Sequence, residues 1–263
     1  MLAYSVPVKI EDTRVETIDI GGVALSCTDE DGAIAEAVRL YERDEPGFIA
    51  YANVYGVNLA QRDETYLGAL RAADLVLNDG KGVMLGARLL GKRFPVDLNG
   101  NHFTPLLLSI AAERRWPVYF FGARPGVAQR AAAALRAAMP ALEVAGIRDG
   151  DLSRGTRDEI VGDIRDAGSG LLLAALGNPL QEKWLAANLA DTGARLGVGV
   201  GAFFDFQAGE VRRAPAWMNR AGLEWIHRLG LEPRRMWRRY LIGNPMFVWR
   251  VLRQRLSERR PGQ

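Results

Sequence analysis

Two stretches of the chain hold side chains whose types and spacing suit chemistry at the end of a strand. In Leu171 to Leu185, LLLAALGNPLQEKWL, an apolar run stops at Gly177 and a polar turn, Asn178-Pro179-Leu180-Gln181-Glu182, opens a new segment. The run has the length of a buried strand. Pro179 suits the first turn of a helix, where its missing N–H costs nothing and its φ is already helical. Gln181 and Glu182 then fall on a first helical turn at the carboxyl edge of a sheet, where free N–H groups favour phosphate. A plain βα turn with a polar cap has the same pattern. In the second stretch, DLVL runs into Asn78-Asp79-Gly80-Lys81-Gly82, and a little upstream FIAYA ends at Asn53. A carboxylate at a strand's carboxyl end, beside glycines that let a ligand approach the backbone, suits a general base. Asp-Gly is also a common turn. His102, after Asn99-Gly100-Asn101, has either a solvated capping role or a place in the site.

Alternating strand-like and helix-like segments must position these groups. Arg14 to Cys27 reads as two short strands around Gly21-Gly22, a hairpin signal. Strands are expected at Phe48–Ala52, Asp74–Asn78, Val118–Phe121, Leu142–Ile147 and Leu196–Val200, besides the run ending at Gly177. Helices are expected from Asp29 to Arg43 (capped near Thr28 or Asp29), Val54 to Ala73 with Gly68 a weak point, Val83 to Leu90, Phe103 to Arg115, Pro125 to Met139, Thr156 to Ala167, and after Pro179 to Ala190. This alternation predicts an α/β fold, a mostly parallel Rossmann-like sheet with helices on both faces. Gly197-Val198-Gly199-Val200-Gly201 looks like a nucleotide loop. It lies inside a strand pattern followed by Phe203-Phe204 rather than a helix, so the dinucleotide fingerprint is not met.

With 263 residues, 48% hydrophobic and 25% charged, the chain can bury a sizeable core. A single cysteine, Cys27, excludes an internal disulfide framework, and with His102 and His227 as the only histidines a zinc centre is not expected. The N-terminal MLAYSVPVKIEDTRVE lacks a basic flank followed by an apolar core, and no stretch reaches the ~18 apolar residues of a spanning helix. A cytoplasmic protein is the expectation. Charge is unevenly placed: residues 211 to 263 hold 13 Arg against three Glu, a net +10, which leaves −7 on the first 210 residues of a chain whose net charge is +3. Four of the six tryptophans, Trp217, Trp225, Trp237 and Trp249, also lie there. The composition divides the chain into an α/β core, 1–210, and a basic, Trp-rich helical appendage, 211–263. The asymmetry points to a polyanionic partner, membrane or nucleic acid, and no recognised nucleic-acid module is found. On a helix from Glu232 to Ile242, Arg234, Arg235, Arg238 and Arg239 fall on one side and Met236, Trp237, Tyr240 and Leu241 on the other, an interfacial pattern.

The motifs in combination resemble the bacterial WecG/TagA/CpsF glycosyltransferase family. The matching residues are Ala73-Asp74 through Asp79-Gly80 and Gly82, Phe121-Gly122 with Pro125, and Gly177-Asn178-Pro179-Leu180-Gln181-Glu182. They continue with Gly199 through Asp205 and Gly209, Arg213-Ala214-Pro215, and Gly222-Leu223-Glu224-Trp225 with Arg228, Pro233 and Arg234, in family order across roughly residues 20 to 245. The resemblance implies an inverting, metal-independent transfer from a UDP-sugar to a saccharide on undecaprenyl diphosphate, in cell-surface polysaccharide synthesis and without a cofactor. A Rossmann-type nicotinamide-dependent oxidoreductase and a nucleic-acid-binding protein are the alternatives.

In the family the aspartate matching Asp79 is the proposed base. Substrate-binding positions are then expected at Tyr51, Asn53, Asn78, Asn99, His102, Gly122, Gly177, Asn178, Gln181, Glu182, Asp205 and Arg213. Arg228, Arg234, Arg235, Arg238, Arg239 and Trp237 are expected to meet the acceptor and an anionic membrane, placing the protein peripherally on the inner face of the cell membrane; a homo-oligomer is compatible with all of this. The chain also departs from the family. Tyr51 replaces a usual threonine, and Asp97-Leu98-Asn99-Gly100-Asn101-His102-Phe103 stands where Arg-x-Thr-Gly-x-Asp-Leu is usual. Changed donor or acceptor selection is the expected consequence.

Overall fold

The computed structural model describes residues 15–211, 215, 218, 224–231 and 233–258. Among them, β1 (Thr17–Ile20) and β2 (Val23–Ser26) form the expected antiparallel hairpin, with Ile18, Ile20, Val23 and Leu25 alternating onto a buried face. A six-stranded sheet carries the rest: β3 (Gly47–Ala52), β4 (Leu75–Asn78), β5 (Val118–Gly122), β6 (Val144–Arg148), β7 (Leu171–Ala175) and β8 (Leu196–Gly199). The order is β4-β3-β8-β7-β5-β6, and every pairing is parallel. Parallel strands deliver all their carboxyl ends to one edge, so Asn53, Asp79, Gly177 and Gly201, which follow strands, and Gly122, which ends β5, lie on the same side of the molecule.

Two cores lie on the two faces, because alternate residues of each buried strand point opposite ways. Ile49, Leu75, Leu77, Phe120, Leu173 and Val198 face one core with α1 (Glu30–Glu42), α5 (Gly100–Glu113), α6 (Val127–Ala138) and α9 (Phe203–Gln207). Phe48, Ala50, Val76, Phe121, Leu172 and Ala174 face the other with α2 (Val54–Ala60), α3 (Glu64–Ala72), α4 (Lys81–Leu89), α7 (Arg157–Asp166) and α8 (Leu180–Asn188). The expected fold class therefore holds, with helices on both faces.

Caps decide where the helices begin. Asp29, rather than Thr28, caps α1 by accepting from Gly32 N at 2.9 Å. The single helix expected from Val54 to Ala73 is two. Asp63 accepts from Tyr66 N at 2.9 Å and starts α3, so the break falls at Gln61–Asp63, where an N-cap side chain competes with helix continuation, and not at Gly68. A short helix, α9, does follow the Gly197–Gly201 stretch, contrary to the sequence reading. Pro179 sits just ahead of α8, joined to Asn178 by a cis peptide bond, instead of inside its first turn.

In the C-terminal part, α10 (Glu224–Leu231) and α11 (Pro233–Trp237) precede a π-helical turn at Arg238–Ile242 and the long α12 (Gly243–Glu258). Phe247 and Val251 of α12 are buried in the second core, the Phe247 ring lying over Gly86 of α4. Arg250 Nη1 donates to Asn58 Oδ1 at 3.0 Å, and Gln254 Oε1 accepts from Gly21 N at 2.9 Å. One face of α12 is thus docked on the α/β body. Trp249, Leu252 and Leu256 remain exposed on it.

Candidate active site

At the ends of β3 and β4, neighbours in the sheet, Asn53 makes two bonds that fix its amide. Its Oδ1 accepts from Gly56 N at 3.1 Å, capping α2, and its Nδ2 donates to Asp79 Oδ2 at 2.8 Å. The Asp79 N–H donates to Ala52 O at 3.1 Å, which continues the β3–β4 ladder by one residue and holds the carboxylate at the edge. Asn78 is fully buried. Its Nδ2 donates to Val96 O at 2.9 Å and its Oδ1 accepts from Leu98 N at 2.7 Å, so it pins the 96–98 segment beneath the edge. That segment delivers Asp97, whose Oδ1 accepts from Gly80 N at 2.9 Å and whose Oδ2 lies 4.0 Å from Lys81 Nζ. Asp97 and Lys81 were not among the expected site residues; the signal for Asp97 was the altered motif itself, with a carboxylate where arginine is usual, and for Lys81 its place in the turn after Asp79.

The other departures go elsewhere. Tyr51 is buried, its hydroxyl 3.1 Å from Thr104 Oγ1 and its ring against Gly100, so it seats the start of α5. Burial pushes its phenol well above the usual range. The exposed His102 Nε2 lies 2.8 Å from Glu30 Oε1 at the start of α1. Asn99 stands at the N-cap of α5 and accepts from His102 N and Phe103 N through its carbonyl, with no side-chain cap.

At the ends of β7 and β8, the expected pair is present but turned inward. Gln181 Oε1 accepts from both Gly177 N and Gly201 N at 3.0 Å, joining the two strand-end turns, and its Nε2 donates to Glu182 Oε1 at 2.8 Å. Asn178 Nδ2 donates to the same Glu182 oxygen at 2.9 Å and to Tyr66 OH at 3.0 Å. Gly199 makes room for this amide, since a Cβ there would stand 3.0 Å from Gln181 Nε2. Gly122 likewise admits no side chain: its φ is 126° and a Cβ would meet the Ala175 backbone at 2.5 Å. Tyr66 and Gly201 are the members of this network that sequence reasoning missed, because a tyrosine inside an apolar helix reads as core.

Gln181→Ala would leave the Gly177 and Gly201 N–H groups without their acceptor. A stability loss of about 2 kcal/mol is expected, beside any effect on turnover. Chemical denaturation checks it; an unchanged midpoint would show that the two turns hold without the amide.

Glu182 is buried, and burial raises its carboxyl from 4.5 to about 7, against the lowering effect of the Gln181 hydrogen bond. The folded state thus binds the proton more tightly than the unfolded chain. The stabilisation is complete below pH 4.5 and is lost as pH rises to about 7, a change of roughly 3 kcal/mol. The melting temperature should fall over that interval, and Glu182→Gln should flatten the fall. Equal slopes in the two proteins would assign the titration to another group.

Arg124, after Gly122, lies 3.2 Å from Glu210 and 3.9 Å from Asp205, and Arg130 reaches the same Glu210. These pairs hold the segment that leads into the C-terminal part. Arg239 places its guanidinium 4.5 Å over the Tyr55 ring on the first turn of α2, which brings one arginine of the tail to the helix that Asn53 caps. Arg234 and Arg238 are exposed, Trp237 is 41% exposed, and Arg238 stacks on it at 5.2 Å. Met236, expected on the same side as Trp237, is buried. The expected single helix is interrupted by the π-helical turn at Arg238–Ile242, and the two-sided pattern does not hold there: Arg239 faces Tyr55, while the exposed Arg238 lies over Trp237 from the other side of the expected division. Arg213 and Glu232 lie outside the described residues, as do the side chains of Arg228 and Arg235. Among the described residues, no three His, Cys, Asp or Glu side chains converge closely enough to hold a metal ion, and no helix is long and apolar enough to cross a membrane.

Comparison with known proteins bears on what this edge does. A model of the glycosyl transferase WecG/TagA/CpsF family matches residues 18–261. The N-acetylglucosaminyldiphosphoundecaprenol N-acetyl-beta-D-mannosaminyltransferase of Bacillus subtilis (strain 168) is 30% identical over 200 residues, 76% of this chain and 77% of that protein. The protein of the same name from Bacillus spizizenii is 31% identical over 222 residues, 84% of each chain.

Proposed function

The chain belongs to the WecG/TagA/CpsF glycosyltransferase family, and from that premise we propose that it moves a sugar from a UDP-sugar to an undecaprenyl-diphosphate-linked saccharide by one inverting displacement. The observation that carries the reading is the Asn53–Asp79 pair at adjacent strand ends. Asn53 ties one carboxylate oxygen and thereby orients the group toward an acceptor hydroxyl. As that hydroxyl oxygen attacks the anomeric carbon, its proton passes to Asp79, the bond from the carbon to the diphosphate oxygen breaks, and UDP leaves with the electron pair. The relatives' name specifies a β linkage, the product that inversion of an α-linked nucleotide sugar gives. The oxidoreductase alternative does not accord with a glycosyltransferase family.

Charge developing on the departing diphosphate needs cations or N–H donors. Lys81 at the start of α4, Arg239 beside α2 and the helix N-termini at this edge are the groups we assign to it. Turnover is therefore expected to survive EDTA. Loss of activity that magnesium restores would overturn the metal-free mechanism. Donor binding can be screened by thermal shift: UDP and one or more UDP-sugars should raise the melting temperature, and a null result across the panel would remove the donor reading.

The acceptor's lipid requires a membrane, and we propose that the basic tail meets it in preference to nucleic acid. Supporting this are Trp237, Leu241, Trp249, Leu252 and Leu256, large apolar side chains left exposed beside Arg234, Arg238 and Arg253. On this reading the protein works as a peripheral enzyme on the cytoplasmic face.

A further inference from the structure

Glu182 is the one fully buried carboxylate among the described residues, and the displacement at Asp79 makes no use of it. Its Oε1 accepts from two primary amides, Gln181 Nε2 and Asn178 Nδ2, while its Oε2 is buried without a partner. Those two amides belong to the edge. Asn178 is part of the turn after β7, and Gln181 bonds the N–H groups of both Gly177 and Gly201 through its carbonyl oxygen. An amide has one acceptor end and one donor end. The Gln181 carbonyl can face the two turns only while its NH2 end meets an acceptor, and Glu182 supplies that acceptor.

We propose that Glu182 is a positioning residue for donor binding, which as a neutral acid sets the turns after β7 and β8 through Gln181 and Asn178 and whose ionisation weakens the site's hold on an anionic diphosphate. The inference rests on the UDP-sugar reading above and deepens it. Among the described residues no cation pairs with Glu182. Lys183, next to it on α8, is engaged with Asp63 of α3 at 2.6 Å. From α3 the titratable group facing it is Tyr66, linked through Asn178, and Tyr55 and Arg239 act electrostatically on that tyrosine. The strand residues in the same core, Ala50, Ala52, Leu172 and Ala174, carry no charge. A proton lost from Glu182 therefore leaves an uncompensated negative charge in a medium of low dielectric beneath the turns. Burial, which raises this carboxyl to about 7, puts the change near neutral pH.

The test is UDP affinity by titration calorimetry, on the full chain and on Glu182→Gln, between about pH 6 and about pH 8.5. The β-phosphate of UDP titrates in the same range, so variant and parent are compared at each pH. The parent should weaken by about fivefold more than the variant across the interval, the size of an ordinary coupling between sites. A purely structural carboxyl would change the pH dependence of melting and leave the two UDP profiles parallel; parallel profiles overturn the proposal. Glu182→Met, which removes the acceptor, should raise the donor KM more than it lowers kcat at every pH, and an unchanged KM would overturn the positioning role. If that variant does not fold, the Glu182→Gln comparison decides alone. Absence of UDP binding by the parent at any pH would instead remove the donor reading, and this inference with it.

Discussion

Asp79→Asn is expected to fold, to bind UDP with the parent's affinity and to lose sugar transfer by about 10²-fold or more. The substitution is nearly isosteric. Its side-chain oxygen can still accept from Asn53 Nδ2, so the 2.8 Å contact and the cap that Asn53 provides to α2 should both survive. What disappears is basicity: an amide cannot take the proton of the attacking hydroxyl. Steady-state kcat with an accompanying UDP titration separates the two effects. Near-normal turnover would remove Asp79 from the mechanism, and weakened UDP binding with unchanged kcat would make it a donor contact.

The second large effect is expected at the tail. Near an anionic surface each Arg contributes about 1 kcal/mol, so Arg234, Arg235 and Arg238 together supply roughly 3 kcal/mol before screening. Apolar insertion of Trp249, 58% exposed, and Leu256, 64% exposed, would add to this. Changing those three arginines to Glu should abolish sedimentation with vesicles rich in anionic lipid, and salt should weaken the parent's binding. Arg239 is left in place because it packs on Tyr55. A triple variant that sediments as well as the parent would make the segment a packing element, a role that buried Phe247 and Val251 already show for one face of α12.

Much of the site was legible because strand ends announce themselves. Apolar runs stopping at Asn53 and Asn78 place both residues on the carboxyl edge of any parallel sheet, and β3 and β4 are successive strands, which usually lie side by side. The bond between Asn53 and Asp79 could not be read, since it depends on the register that pairs Ala52 with Asn78. Gln181 and Glu182 were legible as a helical first turn but not as buried groups. Polarity argues for an exposed face, and here α8 turns its polar start into the core because the two glycine turns need an acceptor. In the tail, composition conveyed charge and aromatic content while the phase was lost. Met236 packs inward and Arg239 reaches Tyr55, contacts set by the body the segment lies on, and no residue pattern announced the π-helical turn at Arg238–Ile242.

Inverting transfer to a lipid diphosphate acceptor is tested by incubating the protein with UDP-sugars and undecaprenyl-diphosphate-linked N-acetylglucosamine. Both UDP release and the anomeric configuration of the product are then read by NMR. UDP release should require the acceptor, and an α-linked donor should give a β-linked product. Transfer with retained configuration would contradict the single displacement at Asp79, and no acceptor-dependent release from any UDP-sugar would contradict the proposed activity itself.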